Sequence, residues 1–81
     1  MTPPKIKIYG APWCPDCARA KAYLDSRQVP YEWTDIDQDE PAKAYVKQVN
    51  KGRQTIPTII FPDGSILVEP SNAELARKLG R

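Results

Sequence analysis

The chain has 81 residues, 41% hydrophobic and 27% charged, with a net charge of +2, two cysteines and no histidine. A chain of this length is read as a single domain, residues 1–81, able to bury roughly 60–65% of its unfolded surface. The near-neutral balance, with no Lys/Arg run, argues against nucleic acid as a partner; the absence of ~20 consecutive apolar residues argues against a membrane span; and the lack of histidine removes His metal sites and His general bases.

Met1-Thr2-Pro3-Pro4-Lys5 lacks the roughly 7–15-residue apolar stretch of a secretory leader, so a cytoplasmic location, where thiols are kept reduced, is expected. Lys5-Ile6-Lys7-Ile8-Tyr9 alternates polar and apolar residues and predicts a first strand. Gly10-Ala11-Pro12 breaks it and leads to Trp13-Cys14-Pro15-Asp16-Cys17. Pro15 suits a first helical turn, where its missing N–H costs nothing. A helical pattern then runs to about Gln28, with Cys17, Ala20 and Leu24 on one face, Lys21 at its margin and Pro30 as the stop. Tyr31-Glu32-Trp33-Thr34-Asp35-Ile36 predicts a second strand. Asp37 or Asp39 caps the next helix, which has Pro41 in its first turn, an apolar face of Ala42, Tyr45, Val46 and Val49, and Gly52 as its stop.

Thr55-Ile56-Pro57-Thr58-Ile59-Ile60-Phe61 predicts a third strand, and Pro62-Asp63-Gly64-Ser65 a hairpin turn returning as Ser65-Ile66-Leu67-Val68. Ser71 and Glu74 form a capping box for a last helix carrying Leu75, Ala76 and Leu79, closed by Gly80. The order is β-α-β-α-β-β-α, an α/β fold with a four-stranded mixed sheet and three helices. Alternation with helices favours parallel neighbours among the first three strands; the Asp-Gly turn makes the fourth antiparallel to the third.

The two cysteines carry the chemistry. Two thiols separated by two residues at a helix start close into a disulfide with little backbone movement. The helix N-terminus favours a thiolate, lowering an ordinary cysteine pKa of about 8.5 to roughly 3.5–7.5 at such sites. Cys14 precedes the helix, is expected to be the more exposed, and is the better nucleophile; Cys17 lies one turn in, faces the sheet, and is read as the resolving thiol. Asp16 between them opposes thiolate formation by its charge and is read as tuning the acidity of the pair. Trp13 is read either as shielding the thiolate and contacting substrate, or as an aromatic filling the loop. Arg53 and Gln54 are read either as binding a carboxylate or sugar hydroxyls of a small thiol, or as solvated surface. Tyr9, Trp33, Tyr45 and Phe61 are read as packing.

These residues resemble the glutaredoxins, within the thioredoxin-like fold. The resemblance rests on strand–Trp13-Cys14-Pro15-Asp16-Cys17–helix, on Thr55-Ile56-Pro57, and on the strand–turn–strand–helix tail. Val49-Asn50-Lys51-Gly52-Arg53-Gln54-Thr55-Ile56-Pro57-Thr58, with Phe61-Pro62-Asp63-Gly64-Ser65 and Pro70-Ser71, is similar to the mycoredoxin branch, which uses mycothiol. The resemblance implies a thiol–disulfide oxidoreductase that reduces mixed disulfides between proteins and a low-molecular-weight thiol. It implies that Pro57 is cis and exposes the backbone of Ile56 to an extended substrate. It also implies a thiol-contacting surface of Trp13, Pro15, Arg53, Gln54, Thr55, Ile56, Pro57, Ser71 and Asn72, reached also by Glu69. Glutathione-dependent members carry a Gly-Gly pair where this chain has Val68-Glu69-Pro70-Ser71-Asn72. A mycothiol- or bacillithiol-type reductant is therefore expected over glutathione, with no metal and a monomeric state. Besides a redox-silent interaction domain, in which Cys14→Ser would keep full function, two alternatives remain open at this point. One is a protein-disulfide reductase, or an electron donor to ribonucleotide reductase, recycled by a thioredoxin-reductase-type flavoenzyme. The other is an iron–sulfur module, which two cysteines fill only with a second copy or external thiols.

Overall fold

The computed structural model describes residues 5–80; Met1 to Pro4, on which the expectation about a secretory leader falls, and Arg81 lie outside the described residues. Seven elements follow in chain order: β1 Ile6–Gly10, α1 Pro15–Ser26, β2 Tyr31–Asp35, α2 Glu40–Val49, β3 Thr58–Ile60, β4 Ile66–Val68 and α3 Asn72–Leu79. The sheet order is β2-β1-β3-β4. β1 pairs parallel with β2, Ile8 opposite Trp33. β3 pairs antiparallel with β1, Ile8 opposite Ile59, and β4 pairs antiparallel with β3.

Alternation along the strands sorts side chains to two faces. Ile6, Ile8 and Ile59 join Ala20 and Leu24 of α1 and Leu75 of α3 in one cluster, with Phe61; Tyr31, Trp33, Leu67 and Leu79 pack around it. Tyr9 and Ile56 pack on the opposite cluster, Ile36 with Ala42 and Val46 of α2. The face expected for α1 is borne out, since Cys17, Ala20 and Leu24 are each fully buried.

Three expectations are corrected. β3 is antiparallel to β1, not parallel, because helix alternation fixes neither strand order nor direction once the chain turns through residues 50–57 before pairing. β3 also starts at Thr58, not Thr55. Pro57 has no N–H to give to a ladder, and the Thr55 carbonyl accepts the Thr58 Oγ1 hydroxyl at 2.7 Å. Tyr45, expected to pack, is 36% exposed and meets Tyr9 ring to ring at 5.5 Å.

The helix termini follow the sequence closely. Asp39, one of the two expected caps, accepts the Ala42 N–H at 3.0 Å. α2 ends at Val49 with Asn50 as its C-cap, two residues before Gly52, because Lys51 takes the left-handed position (φ 57°) and the Gly52 N–H reaches back to the Lys47 carbonyl at 2.6 Å. Ser71 and Glu74 form the full capping box, and Gly80 is left-handed (φ 72°).

Candidate active site

β1 ends beneath the start of α1, and this junction builds the site. Cys14 is the N-cap of α1: its backbone is extended and its Sγ accepts the Cys17 N–H at 3.2 Å. Pro15 occupies the first helical position. Both cysteines are free thiols. Cys14 is the more exposed of the two, as expected, but only slightly open at 6% against 0% for Cys17. Its burial follows from the cap, which turns the sulfur inward over the first helical turn.

Cys17 is placed by Gly10. A Cβ on Gly10 would lie 2.5 Å from Cys17 Sγ and 2.9 Å from the Trp33 ring, so the bare backbone there makes room for the sulfur. Burial pushes the Cys17 thiol up to about 12. A hydrogen bond to the Cys14 sulfur and the charges of Cys14 and Asp16 act in the same direction, while a backbone hydrogen bond from Ala11 opposes them.

Asp16 is exposed, with its carboxylate 3.7 Å from Arg19 Nη2. Trp13 projects into solvent at 69% exposure, and its Nε1–H donates to Asp37 Oδ2 at 2.8 Å. Asp37 in turn is held by its N–H on Asp35 Oδ1. Thus Asp37, read as a possible helix cap, orients the indole next to Cys14 instead. The Ile56–Pro57 peptide is cis and Pro57 is buried, while Thr55 and Ile56 are half-buried. Glu69 N–H donates to the Pro57 carbonyl at 2.9 Å, tying this loop to the segment before α3. On the other side Asn50 Nδ2 donates to the Thr58 hydroxyl at 3.1 Å and to Val46 O at 2.8 Å.

Arg53 and Gln54 are exposed. Arg53 and Thr55 line an open hollow of about 490 Å³ with Val49, Asn50 and Lys51. Ser71 and Asn72 are exposed but already bonded within the fold: Ser71 with Glu74, and Asn72 Oδ1 with Arg19 Nη1 at 2.8 Å. Arg19 Nη2 also donates to the Pro70 carbonyl at 2.9 Å, so one guanidinium joins α1 to the start of α3. Glu69 takes a left-handed backbone (φ 50°) just before Pro70. Arg19, Asp37, Asn50 and the place of Trp33 beside Cys17 were not foreseen. Arg19 and Asn72 are 53 residues apart, and Trp13 and Asp37 are 24 apart, so no local pattern marks either pair. Among the described residues, no group of three or more His, Cys, Asp or Glu side chains is placed to hold a metal ion. No described helix is long and apolar enough to cross a membrane.

Two adjacent thiols, one capping a helix and the other buried behind it, can exchange electrons as a pair with an external disulfide. Carried at the first β–α junction of this sheet, they define a thiol–disulfide oxidoreductase. Comparison with known proteins narrows the class. Residues 6–66 match the family model described as Glutaredoxin. Mycoredoxin 1 of Corynebacterium glutamicum is 38% identical over 74 residues, covering 91% of each chain. A candidate glutaredoxin of Mycobacterium tuberculosis is 39% identical over 74 residues, covering 91% of this chain and 88% of its own. The crystal structure of the thioredoxin-like protein BC3987 superposes with a TM-score of 0.78 at 27% identity, over 90% of this chain and 97% of that one. The chain belongs to the glutaredoxin family and has the thioredoxin-like fold.

Proposed function

We propose that Cys14 is the attacking thiolate and Cys17 the resolving thiol, and that the substrates are mixed disulfides between proteins and a low-molecular-weight thiol of mycothiol or bacillithiol type. The observation that carries the order of roles is the N-cap: Cys14 Sγ receives the Cys17 N–H and stands in the positive end of α1, whereas Cys17 is sealed against Gly10. The Cys14 thiolate attacks the small-thiol sulfur of the mixed disulfide. The Cys14–thiol disulfide forms and the target protein leaves as its thiolate, taking a proton from water. A second small thiol then attacks that same sulfur, releasing the symmetric small-molecule disulfide and regenerating Cys14.

When the incoming bond is a protein disulfide, Cys17 completes the exchange by attacking Cys14. Burial does most to hold its proton, and the Cys14 sulfur, which accepts from it and repels its anion, adds to that hold. Capping Cys14 removes the two contributions of its sulfur, so Cys17 becomes easier to ionise once the first step is complete.

The choice of thiol rests on the resemblance to the mycoredoxins, on the 38% identity to mycoredoxin 1, and on the polar hollow beside Arg53 and Thr55, which suits a hydroxyl-rich ligand. Trp13, Pro15, Gln54, Ile56 and Pro57 complete the surface in this reading. Ser71 and Asn72 border it. A cytoplasmic setting and a monomeric enzyme fit the same reading. The test compares turnover of one model protein as its mycothiol and its glutathione mixed disulfide, each with the matching free thiol. Faster turnover of the mycothiol form supports the proposal. Turnover only with NADPH and a thioredoxin-reductase-type flavoenzyme would replace it with the protein-disulfide reductase reading.

A further inference from the structure

Trp33 was expected to serve packing alone, yet its ring lies beside the buried sulfur of Cys17. Both Cys17 Sγ and Trp33 Cη2 lie within 3 Å of the single point where a Gly10 Cβ would sit, at 2.5 and 2.9 Å. Trp33 is on β2, the edge of the sheet, opposite Ile8 and on the face that α1 covers. Among the described residues no further strand lies past this edge to shelter that flank. Lys21, one helical turn beyond Cys17, stacks its Nζ 3.9 Å from the centre of the Trp33 ring. The half-buried indole thus meets the Lys21 cation over its ring and brings its outer edge up to the Gly10 backbone and the Cys17 sulfur.

We propose that Trp33, held by Lys21, is a positioning residue that walls the resolving sulfur off from solvent along the sheet edge, so that Cys17 exchanges only with the sulfur on Cys14. The inference rests on the reading of Cys17 as the resolving thiol. External disulfides and oxidants then meet Cys14 alone, and the pair closes on itself rather than accumulating a small-thiol adduct on Cys17. Such an adduct would need an outside disulfide to reach Cys17, form a bond to its sulfur and release the other half as thiolate; the indole occupies that approach.

The test uses the full chain in a Cys14→Ser background, where Cys17 is the one thiol, so the result does not depend on turnover. Iodoacetamide alkylates the Cys17 thiolate, forming the carbamidomethyl thioether and releasing iodide, and intact mass follows the rate. Rates are divided by the thiolate fraction from the pH profile of each variant, separating access from ionisation. Trp33→Ala is expected to raise the corrected rate about tenfold or more, while Trp33→Phe, which keeps a ring there, stays near the parent. An unchanged rate in a Trp33→Ala protein that remains folded by circular dichroism overturns the proposal. If Trp33→Ala unfolds, Lys21→Ala in the same background decides by the same criterion, with a rise of about threefold expected and no rise contradicting it. Failure here leaves the roles of Cys14 and Cys17 to the turnover assay, which reads them separately.

Discussion

At the start of α3, Ser71 Oγ accepts the Glu74 N–H at 3.1 Å and Glu74 Oε1 accepts the Ser71 N–H at 3.0 Å. At the start of α1 the same position belongs to Cys14, whose Sγ accepts the Cys17 N–H at 3.2 Å with no returning carboxylate. The geometry is alike, a side chain three residues back covering an orphan helix N–H. The chemistry differs. A hydroxyl and a carboxylate satisfy the turn permanently, whereas a neutral thiol is a weak acceptor that becomes a strong one only as an anion. The α3 start is therefore finished for stability. The α1 start keeps part of its capping strength in reserve for the charge that the proposed mechanism needs.

Replacing the atom at the weaker cap gives the largest expected effect. Cys14→Ser removes thiol–disulfide exchange altogether while supplying a better cap. Cys14→Ala removes both, so the Ser variant is expected to be more stable than the Ala variant by about 0.5–2 kcal/mol in urea unfolding. Equal stabilities would break the comparison, because Cys14 would then not occupy a capping position that matters.

Next in size is the pH response of the buried partner. The folded Cys17 thiol is pushed up to about 12 from a reference value of 9.0, chiefly by burial. A raised acid holds its proton more tightly when folded. Its stabilisation is fully present below pH 9 and lost as pH climbs toward 12. At pH 10 the wild type is expected to have lost about 1.4 kcal/mol relative to a Cys17→Ala variant carried through the same change, as read by urea unfolding. A parallel pH dependence in the two proteins would refute the burial of that sulfur.

On the α3 side, Ser71→Ala is expected to cost about 1 kcal/mol of stability, measured by the same unfolding curves. Gly64 and Asp63 in the hairpin contrast with both caps. Asp63, hydrogen-bonded by Lys78 and by Ser65, has its carboxyl held well below the usual range, but the pair lies in water. Lys78→Met is therefore expected to change stability least of all, and only at low salt. A large loss at high salt would mean that Lys78 works through its stem on the Phe61 ring, which its Nζ approaches at 5.3 Å.

What the residues foretold follows the same division. Caps and faces are local, so Ser71-x-x-Glu74 and the Cys17–Ala20–Leu24 stripe could be placed from spacing alone, and the cap before Pro41 narrowed to Asp37 or Asp39. The cysteine pair itself was equally plain. The direction of β3 could not be placed, since Thr58-Ile59-Ile60 reads the same in either sense. Its late start depended on a hydroxyl, Thr58, turning back to the Thr55 carbonyl. The supports around the site were hidden for a third reason. Arg19 to Asn72, Trp13 to Asp37 and Gly10 to Trp33 are contacts between distant segments, and a charged residue or an aromatic in one gives no sign of its partner in the other. The glycine at the end of β1 reads as a strand breaker, and only the fold reveals that it is a seat for sulfur.

The most direct test of the account is the intact mass of the Cys17→Ser variant isolated from its native host. With the resolving thiol gone, the account predicts one mixed disulfide on Cys14 whose added mass is that of a sugar-bearing small thiol, and which dithiothreitol removes. Protein that carries a glutathione adduct, or that stays unmodified after oxidant challenge of the cells, would contradict it.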